Sequence, residues 1–288
     1  MTLFILILSS LVSVLSPANL VADKVIESNV RSQFQQVEQL KVRLDNAPIG
    51  NVGKGKVDRL RIAGRGFYPF EDIRIDTLEL ETDPINVKLS DLRQRRYTLQ
   101  SPLGVGIRVV IRREDVLQAL RSRFVTRTVE QLLRGLNRRK SLAAPAAIAP
   151  SEMVAQGRLR EKIETIRETV EAYRISNPRV EFLDGQRIRL EADIEEIQTG
   201  DKLQLMVETG IEILEGRRLQ LLRPTVSVNG QPLPEEFVRD FAQNIVKELD
   251  LERFEKLLQV RARVFKFRFT NRTLEIAAFV GLPAGFRI

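Results

Sequence analysis

The sequence contains no cysteine, no histidine and no tryptophan. Without cysteine it cannot form disulfides, thiolate zinc sites or iron–sulfur clusters, and it has no thiol nucleophile. Without histidine it lacks the side chain best suited to proton transfer near pH 7 and the commonest metal ligand. Histidine-dependent hydrolysis and histidine-based metal chemistry are therefore excluded, whereas carboxylate or lysine catalysis and non-catalytic binding remain open.

The chain of 288 residues is 43% apolar and 29% charged, which is typical of a folded protein. This length allows one large domain or two smaller ones with a sizeable core. Composition divides the chain into an apolar segment at 1–22, a first half at 23–140, an Ala/Pro linker at 141–151 and a second half at 152–288.

Positive charge is concentrated in one stretch of the chain. The net charge is +8, yet residues 93–140 alone hold 13 basic and 3 acidic side chains, which makes +10. Such a stretch attracts an anionic partner, either a nucleic acid or a membrane surface. Single-strand binding requires interleaved aromatic residues, and this stretch has only Tyr97 and Phe124. We therefore expect an anionic membrane surface and no nucleic acid. The candidate headgroup residues are Arg93, Arg95, Arg96, Arg112, Arg113, Arg121, Arg123, Arg127, Arg134, Arg138, Arg139 and Lys140.

The N-terminal segment is apolar and has no charge before Asp23. Its most apolar part, residues 3–15, would span about 20 Å as a helix, short of the roughly 30 Å hydrocarbon core of a bilayer. It also lacks the basic residues and clear cleavage site of a secretory signal. We predict a membrane-associated protein held by an N-terminal anchor or an uncleaved signal, and both alternatives remain open, as does the side of the membrane.

Period-2 alternation of apolar and charged residues dominates the rest of the chain and predicts about a dozen antiparallel strands. Helices are few, and one that Pro234 opens has Phe237, Phe241 and Ile245 on one face. The predicted class is α+β, with one large, curved antiparallel sheet. Because so few helices can cover the apolar sheet face, we expect the sheet to roll on itself or to enclose an apolar groove that fits a lipid chain.

Apolar strand residues are the candidates for lining that groove. On the final long strand, Phe265, Phe267 and Phe269 are expected to share one apolar face. The full candidate set is Leu60, Ile62, Leu78, Leu80, Ile107, Val109, Leu190, Leu205, Phe265, Phe267 and Phe269.

The sequence leaves two alternative functions open. A helix at 152–173 has an apolar stripe over 159–173, which could recruit a protein partner to an interaction scaffold. The second alternative is a carboxylate-dependent hydrolase, but acids such as Glu195 and Glu196 alternate with apolar residues like solvent-facing strand positions. Residues 50–57 resemble a phosphate loop, but Val57 replaces the required hydroxyl. We predict no catalytic residue, no cofactor and no metal site.

The order of segments resembles a known family. The ordered segments include VEQLKVRLDN, KVDRLRIAGRG, GIRVVIRREDVLQALRS and RIRLEADIEE. From about residue 20 to residue 282 the chain resembles the LmeA-like phospholipid-binding family, in particular its cyanobacterial-type members. The resemblance implies a tubular lipid-binding fold, with a helix wrapped by a curved sheet around an apolar cavity, and phospholipid binding at a cell-envelope membrane. It brings no catalytic signature, so the leading hypothesis is a non-enzymatic phospholipid-binding or lipid-transfer protein.

Overall fold

The structure is a computed structural model that describes residues 23–45, 55–88, 98–122, 173–197, 200–248 and 251–286. The N-terminal segment 1–22, the linker 141–151 and residues 152–172 of the predicted stripe helix lie outside these ranges. The division of the chain into two halves therefore stays a prediction.

Thirteen strands are described, and the longer ones match the alternating segments of the sequence. The first seven are β1 Gln36–Asp45, β2 Lys56–Val57, β3 Arg59–Phe70, β4 Ile73–Thr82, β5 Ile85–Asn86, β6 Leu103–Arg112 and β7 Tyr173–Leu183. The other six are β8 Arg187–Glu196, β9 Lys202–Leu214, β10 Arg218–Val228, β11 Gln231–Pro232, β12 Arg261–Phe269 and β13 Thr273–Leu282. The described helices are α1 Asp23–Ser32, α2 Arg113–Leu120, α3 Glu235–Glu248 and α4 Leu251–Leu258.

The strands form two open antiparallel sheets. The six-stranded sheet has the order β1-β3-β4-β6-β13-β12, the five-stranded sheet has the order β11-β10-β9-β8-β7, and β2 pairs with β5. The prediction of a sheet-dominated antiparallel fold is confirmed, but the expectation of one large sheet is corrected, because the described strands form two larger sheets and the separate β2–β5 pair. In the five-stranded sheet each described strand pairs with its neighbour in sequence. The six-stranded sheet instead joins distant segments, since β13 pairs with β6 and Val280 lies opposite Val105.

The main core covers the apolar face of the six-stranded sheet at one end. Leu60 and Val105 are fully buried there, and the Phe34 and Phe67 rings meet edge to face at 5.0 Å. Val30 of α1 belongs to the same cluster. Burial of each such side chain contributes about 1.5–3 kcal/mol, so this cluster holds α1 against the sheet.

A second, smaller cluster joins the two sheets. The Phe182 ring of β7 stacks on Phe269 of β12 at 5.0 Å. The amide of Phe269 donates to Gln186 Oε1 over 2.9 Å. The amide of Val264 donates over 2.7 Å to the carbonyl of Gly216, which lies in the turn between β9 and β10. These contacts fix the five-stranded sheet against the free edge of the six-stranded one.

Candidate functional site

The five-stranded sheet has one apolar face and one charged face. Leu190 lies opposite Val207, which lies opposite Val226, so apolar side chains from three strands align on one face. Because successive strand residues point to opposite faces, Arg189 and Glu208 fall on the other side. Leu190 and Val207 are only half-buried, so the centre of this apolar face is incompletely covered.

Ion pairs occupy the charged face of this sheet. Glu208 accepts hydrogen bonds from Arg189, with Nε at 2.9 Å, and from Arg187. The hydrogen bond from Arg189 and the charge of Arg187 hold the pKa of Glu208 below its usual range. Cross-strand ion pairs therefore occupy this face, whereas the opposite face presents half-buried apolar side chains that suit an apolar ligand.

A cavity of about 820 Å³ lies between the apolar face of β10 and helix α3. Val238, Ala242 and Val246 recur every four residues and so share the face of α3 that lines it. From the sheet side, Leu219 and Leu221 come from one half of β10. A register shift between Leu222 and Thr225 separates them from Val226, which also lines the cavity. The lining is predominantly apolar and also has Leu233, Pro224 and Pro232. Its polar members besides two arginines are Gln220, Thr225, Glu235 and Gln243.

Two arginines accompany this apolar lining. Arg223 and Arg239 both line the cavity and both are exposed to solvent. Arg223 has a left-handed backbone, with φ at 45°, beside the irregularity in β10. Among the residues that the structure describes, no carboxylate lies within ion-pair distance of either guanidinium. Cationic groups free of a described carboxylate partner beside an apolar cavity suit a ligand that has both an acyl chain and an anionic group.

A smaller cavity of about 380 Å³ is polar. Arg121, Arg179, Glu191 and Asp193 line it, and Asn177 Nδ2 donates to Asp193 Oδ2 over 2.8 Å. Its charged lining does not suit an acyl chain.

The predicted lipid-contacting residues are distributed over the cores of both sheets. Four are buried in the main core, namely Leu60, Ile62, Leu78 and Leu80, and Ile107 and Val109 pack half-buried against it. Leu190, Phe267 and Phe269 belong to the second cluster, and Leu205 is half-buried on the apolar face of β9. None of them lines the 820 Å³ cavity. Their contact with lipid stays a prediction.

Phe265 departs from its expected position. A register shift between Val264 and Lys266 makes Phe265 an extra residue in β12, and its side chain is 75% exposed. Phe269 on the same strand is 9% exposed. The expectation that Phe265, Phe267 and Phe269 share one face was therefore wrong for Phe265, because the bulge turns it outward.

Three of the predicted headgroup residues are described. Arg112 Nε lies 2.7 Å from Asp76 Oδ1, and Arg113 Nη2 lies 3.5 Å from Glu114 Oε1. Arg121 lines the smaller, polar cavity. The others lie outside the described residues, namely Arg93, Arg95, Arg96, Arg123, Arg127, Arg134, Arg138, Arg139 and Lys140. Their contact with a membrane surface stays a prediction.

Sequence reasoning missed the residues that line the 820 Å³ cavity. The alternation of Leu219 and Leu221 predicts a strand, but it cannot show that helix α3 lies opposite them with a cavity in between. On α3 the sequence favoured the stripe of Phe237 and Ile245, whereas Val238 and Ala242 are the buried ones among the side chains described for this helix. The sequence did contain a signal for the cavity-lining face, since Val238, Ala242 and Val246 recur every four residues. This stripe is offset by one residue from the more apolar stripe of Phe237 and Ile245.

Two carboxylates are buried close together, which bears on the hydrolase alternative. Asp76 is 6% exposed and Asp115 is 4% exposed, and Arg74 Nη1 lies 3.4 Å and 2.9 Å from their oxygens. Neither carboxylate lines either described cavity. Arginine pairing outside a cleft indicates a structural role for both. The described residues also hold no group of three or more acidic side chains arranged to bind a metal ion.

Comparison with known proteins gives a family but no close relative. The family model described as LmeA-like phospholipid-binding matches residues 14–279. Neither the curated proteins nor the solved structures include a match to this chain. Within the described ranges, no helix has both the length and the apolar character needed to cross a bilayer.

Proposed function

Because this chain belongs to the LmeA-like phospholipid-binding family, we propose that it holds a phospholipid with acyl chains in the cavity between α3 and β10. The observation that carries the proposal is the cavity itself, about 820 Å³ in volume and lined mainly by aliphatic side chains. That volume falls within the range of about 300–1,000 Å³ that is usual for small-molecule sites. Each methylene moved from water into the cavity contributes about 0.8 kcal/mol, so an acyl chain supplies ample binding energy.

The phosphate of the headgroup would lie at the solvent side of the cavity. Arg223 and Arg239 line the cavity and remain exposed, so they can donate to phosphate oxygens while the acyl chains contact Leu221 and Val238. Guanidinium groups match phosphate geometry with paired donors, which favours arginine over lysine at such a position.

The family supports lipid binding and suggests association with a membrane, and our proposal goes further in three respects. We propose that the protein has no catalytic activity, that it works at a cell-envelope membrane, and that the five-stranded sheet curves around α3 to give a tubular lipid site. The half-buried apolar side chains of Leu190, Leu205 and Val207 support the third of these, because they extend the apolar surface beyond the cavity.

Filling the cavity tests this function. Ala242→Phe places a ring among the cavity residues, whereas Glu236→Phe adds the same ring to an exposed position of α3 that does not line the cavity. Native mass spectrometry should then show phospholipid bound to the wild type and to the Glu236→Phe control, with only a small fraction of the Ala242→Phe protein loaded. Melting temperatures of the three proteins show whether each is folded. A folded Ala242→Phe protein that loads phospholipid like the wild type would contradict the proposal.

A further inference from the structure

Strand β12 presents an exposed aromatic side chain on the outside of the six-stranded sheet. Phe265 is 75% exposed, the highest value among the large apolar side chains of the described residues. It owes this position to the bulge between Val264 and Lys266, which shifts the inward-facing set from Val264 to Phe267 and leaves Phe265 outside. β12 is also the last strand of its sheet, and next to Phe265 the amide of Val264 donates to the carbonyl of Gly216, so Phe265 lies close to where the two sheets meet.

The surroundings of Phe265 are strongly basic. β12 has four cationic residues, Arg261, Arg263, Lys266 and Arg268, and no acidic one. The nearby carboxylates are each shared by two cations. Glu275 pairs with Lys266 and Arg108, and Glu255 pairs with Arg263 and Arg217.

Arg261 and Arg268 complete the positive surplus. Both are exposed, and no described carboxylate lies within ion-pair distance of either. The outer face of β12 therefore combines one unpacked aromatic ring with more positive than negative charge. An anionic bilayer surface favours this combination, because basic groups meet the headgroups and an apolar side chain enters the boundary between headgroups and acyl chains.

We propose that the outer face of β12 docks on an anionic lipid bilayer, with Phe265 inserted at the level of the headgroups. A single-stranded nucleic acid would need several exposed rings for stacking. The other exposed ring nearby is Phe279 of β13, and it lies over the backbone of Gly104, since a Cβ there would be 2.6 Å from Phe279 Cζ. This docking surface is separate from the cavity at α3 and does not depend on it.

The absence of tryptophan from the chain allows a direct test. In Phe265→Trp, all tryptophan emission comes from position 265. With vesicles of equal phosphatidylglycerol and phosphatidylcholine, the emission should shift to the blue and be quenched by brominated acyl chains. Both effects should weaken as salt rises, because salt screens the basic side chains. The control is Phe70→Trp, at a residue that is 41% exposed at the end of β3, and its emission should not shift.

Vesicle flotation supplies the second measurement. Phe265→Ser should lower partitioning onto the same vesicles by about ten-fold or more, since a ring is no longer buried in the interface. Arg261→Gln and Arg268→Gln should each lower it by about five-fold, as expected for a juxtamembrane basic residue. Phospholipid loading by native mass spectrometry should stay at the wild-type level in all three variants.

Three outcomes would overturn this docking surface. The first is full-length protein that does not bind anionic vesicles. The second is Phe265→Trp protein that floats with the vesicles while its emission stays unshifted and unquenched, which would place membrane contact elsewhere in the chain. The third is an emission shift with a single-stranded oligonucleotide but not with vesicles, which would assign the surface to nucleic acid.

Discussion

Arg74 on β4 and Asp115 in the first turn of α2 form a buried ion pair, with Nη1 2.9 Å from Oδ1. Asp115 also accepts the backbone amide of Arg112 at 2.9 Å, so one carboxylate both begins the helix and holds it to the sheet. On its other side Arg74 donates to Glu38 on β1, and this hydrogen bond lowers the pKa of Glu38.

Removing the cation from this network should be costly. Arg74→Met leaves Asp115 buried without its charge partner, and we expect the free energy of unfolding in urea to fall by about 3–5 kcal/mol. Arg59→Met is the matched control, because the Arg59–Glu81 pair has a similar length of 3.0 Å but its side chains are 47% and 55% exposed. That pair should contribute no more than about 1 kcal/mol. An equal decrease in the free energy of unfolding of the two variants would show that the Arg74 network does not stabilise the fold more than a surface ion pair does.

The two ends of the phenylalanine run on β12 should respond differently to truncation. Phe269 stacks on Phe182 and lies in the contact between the sheets, so Phe269→Ala should lower the free energy of unfolding by about 3–5 kcal/mol. Phe265→Ala should change it by less than about 0.5 kcal/mol, since the ring is 75% exposed. Thermal or urea denaturation measures both, and a large loss at Phe265 would mean that this ring is packed in solution.

Acid should weaken the outer face of the six-stranded sheet through Glu275. Lys266, with Nζ 2.6 Å from Oε2, and Arg108 lower the pKa of Glu275 to about 2 from its ordinary 4.5. A carboxyl group with a lowered pKa in the folded state stabilises the protein above its unfolded pKa, and that contribution disappears as pH falls from 4.5 to 2. Glu275→Gln should lower the free energy of unfolding at pH 7. Between pH 4.5 and pH 2 the free energy of unfolding should then decrease less in the variant than in the wild type. Denaturant titrations at several pH values give the free energy of unfolding as a function of pH. If this pH dependence between 4.5 and 2 is the same in Glu275→Gln and in the wild type, the assignment is wrong.

The arginines beside the cavity should matter for lipids that carry a phosphate group. The double variant Arg223→Gln/Arg239→Gln keeps the apolar lining, so loading of diacylglycerol, which has acyl chains but no phosphate, should be nearly unchanged. Affinity for phosphatidylglycerol should fall by about ten-fold or more, because each charged hydrogen bond contributes about 1.5–3 kcal/mol. Arg218→Gln is the control, since Arg218 lies on the same strand but pairs with Glu215 and does not line the cavity. A double variant that binds phosphatidylglycerol as tightly as the wild type does would place these arginines outside the headgroup site.

Much of the fold was predictable because a half-buried strand has a local alternation of apolar and polar residues. The alternation of Leu60 and Ile62, and of Leu203 and Leu205, predicts strands with one apolar face, and the structure has strands at both places. The change of phase after Val264 also appeared in the sequence, and it coincides with the bulge in β12. What alternation could not show was the outward position of Phe265, because a bulge changes direction through its backbone conformation.

The binding site was less predictable than the strands. Leu60 and Leu221 look alike in sequence, since each is a leucine with another apolar residue two positions away on its strand. In the structure Leu60 is fully buried in the main core, whereas Leu221 lines the cavity beside α3. The difference depends on which element packs against each strand, and that is a matter of long-range contacts.

The sequence by itself determined the antiparallel strands, the exclusion of cysteine and histidine chemistry, and the membership of a phospholipid-binding family. Each of these depends on residue types or on local spacing, and neither depends on contacts between distant parts of the chain. Only the tertiary structure decided that the strands divide into two sheets, that Val238 and Ala242 face β10 across a cavity, and that Phe265 points outward. Those features depend on the pairing of β13 with β6 and the docking of α3 on β10, which bring together residues far apart in the chain.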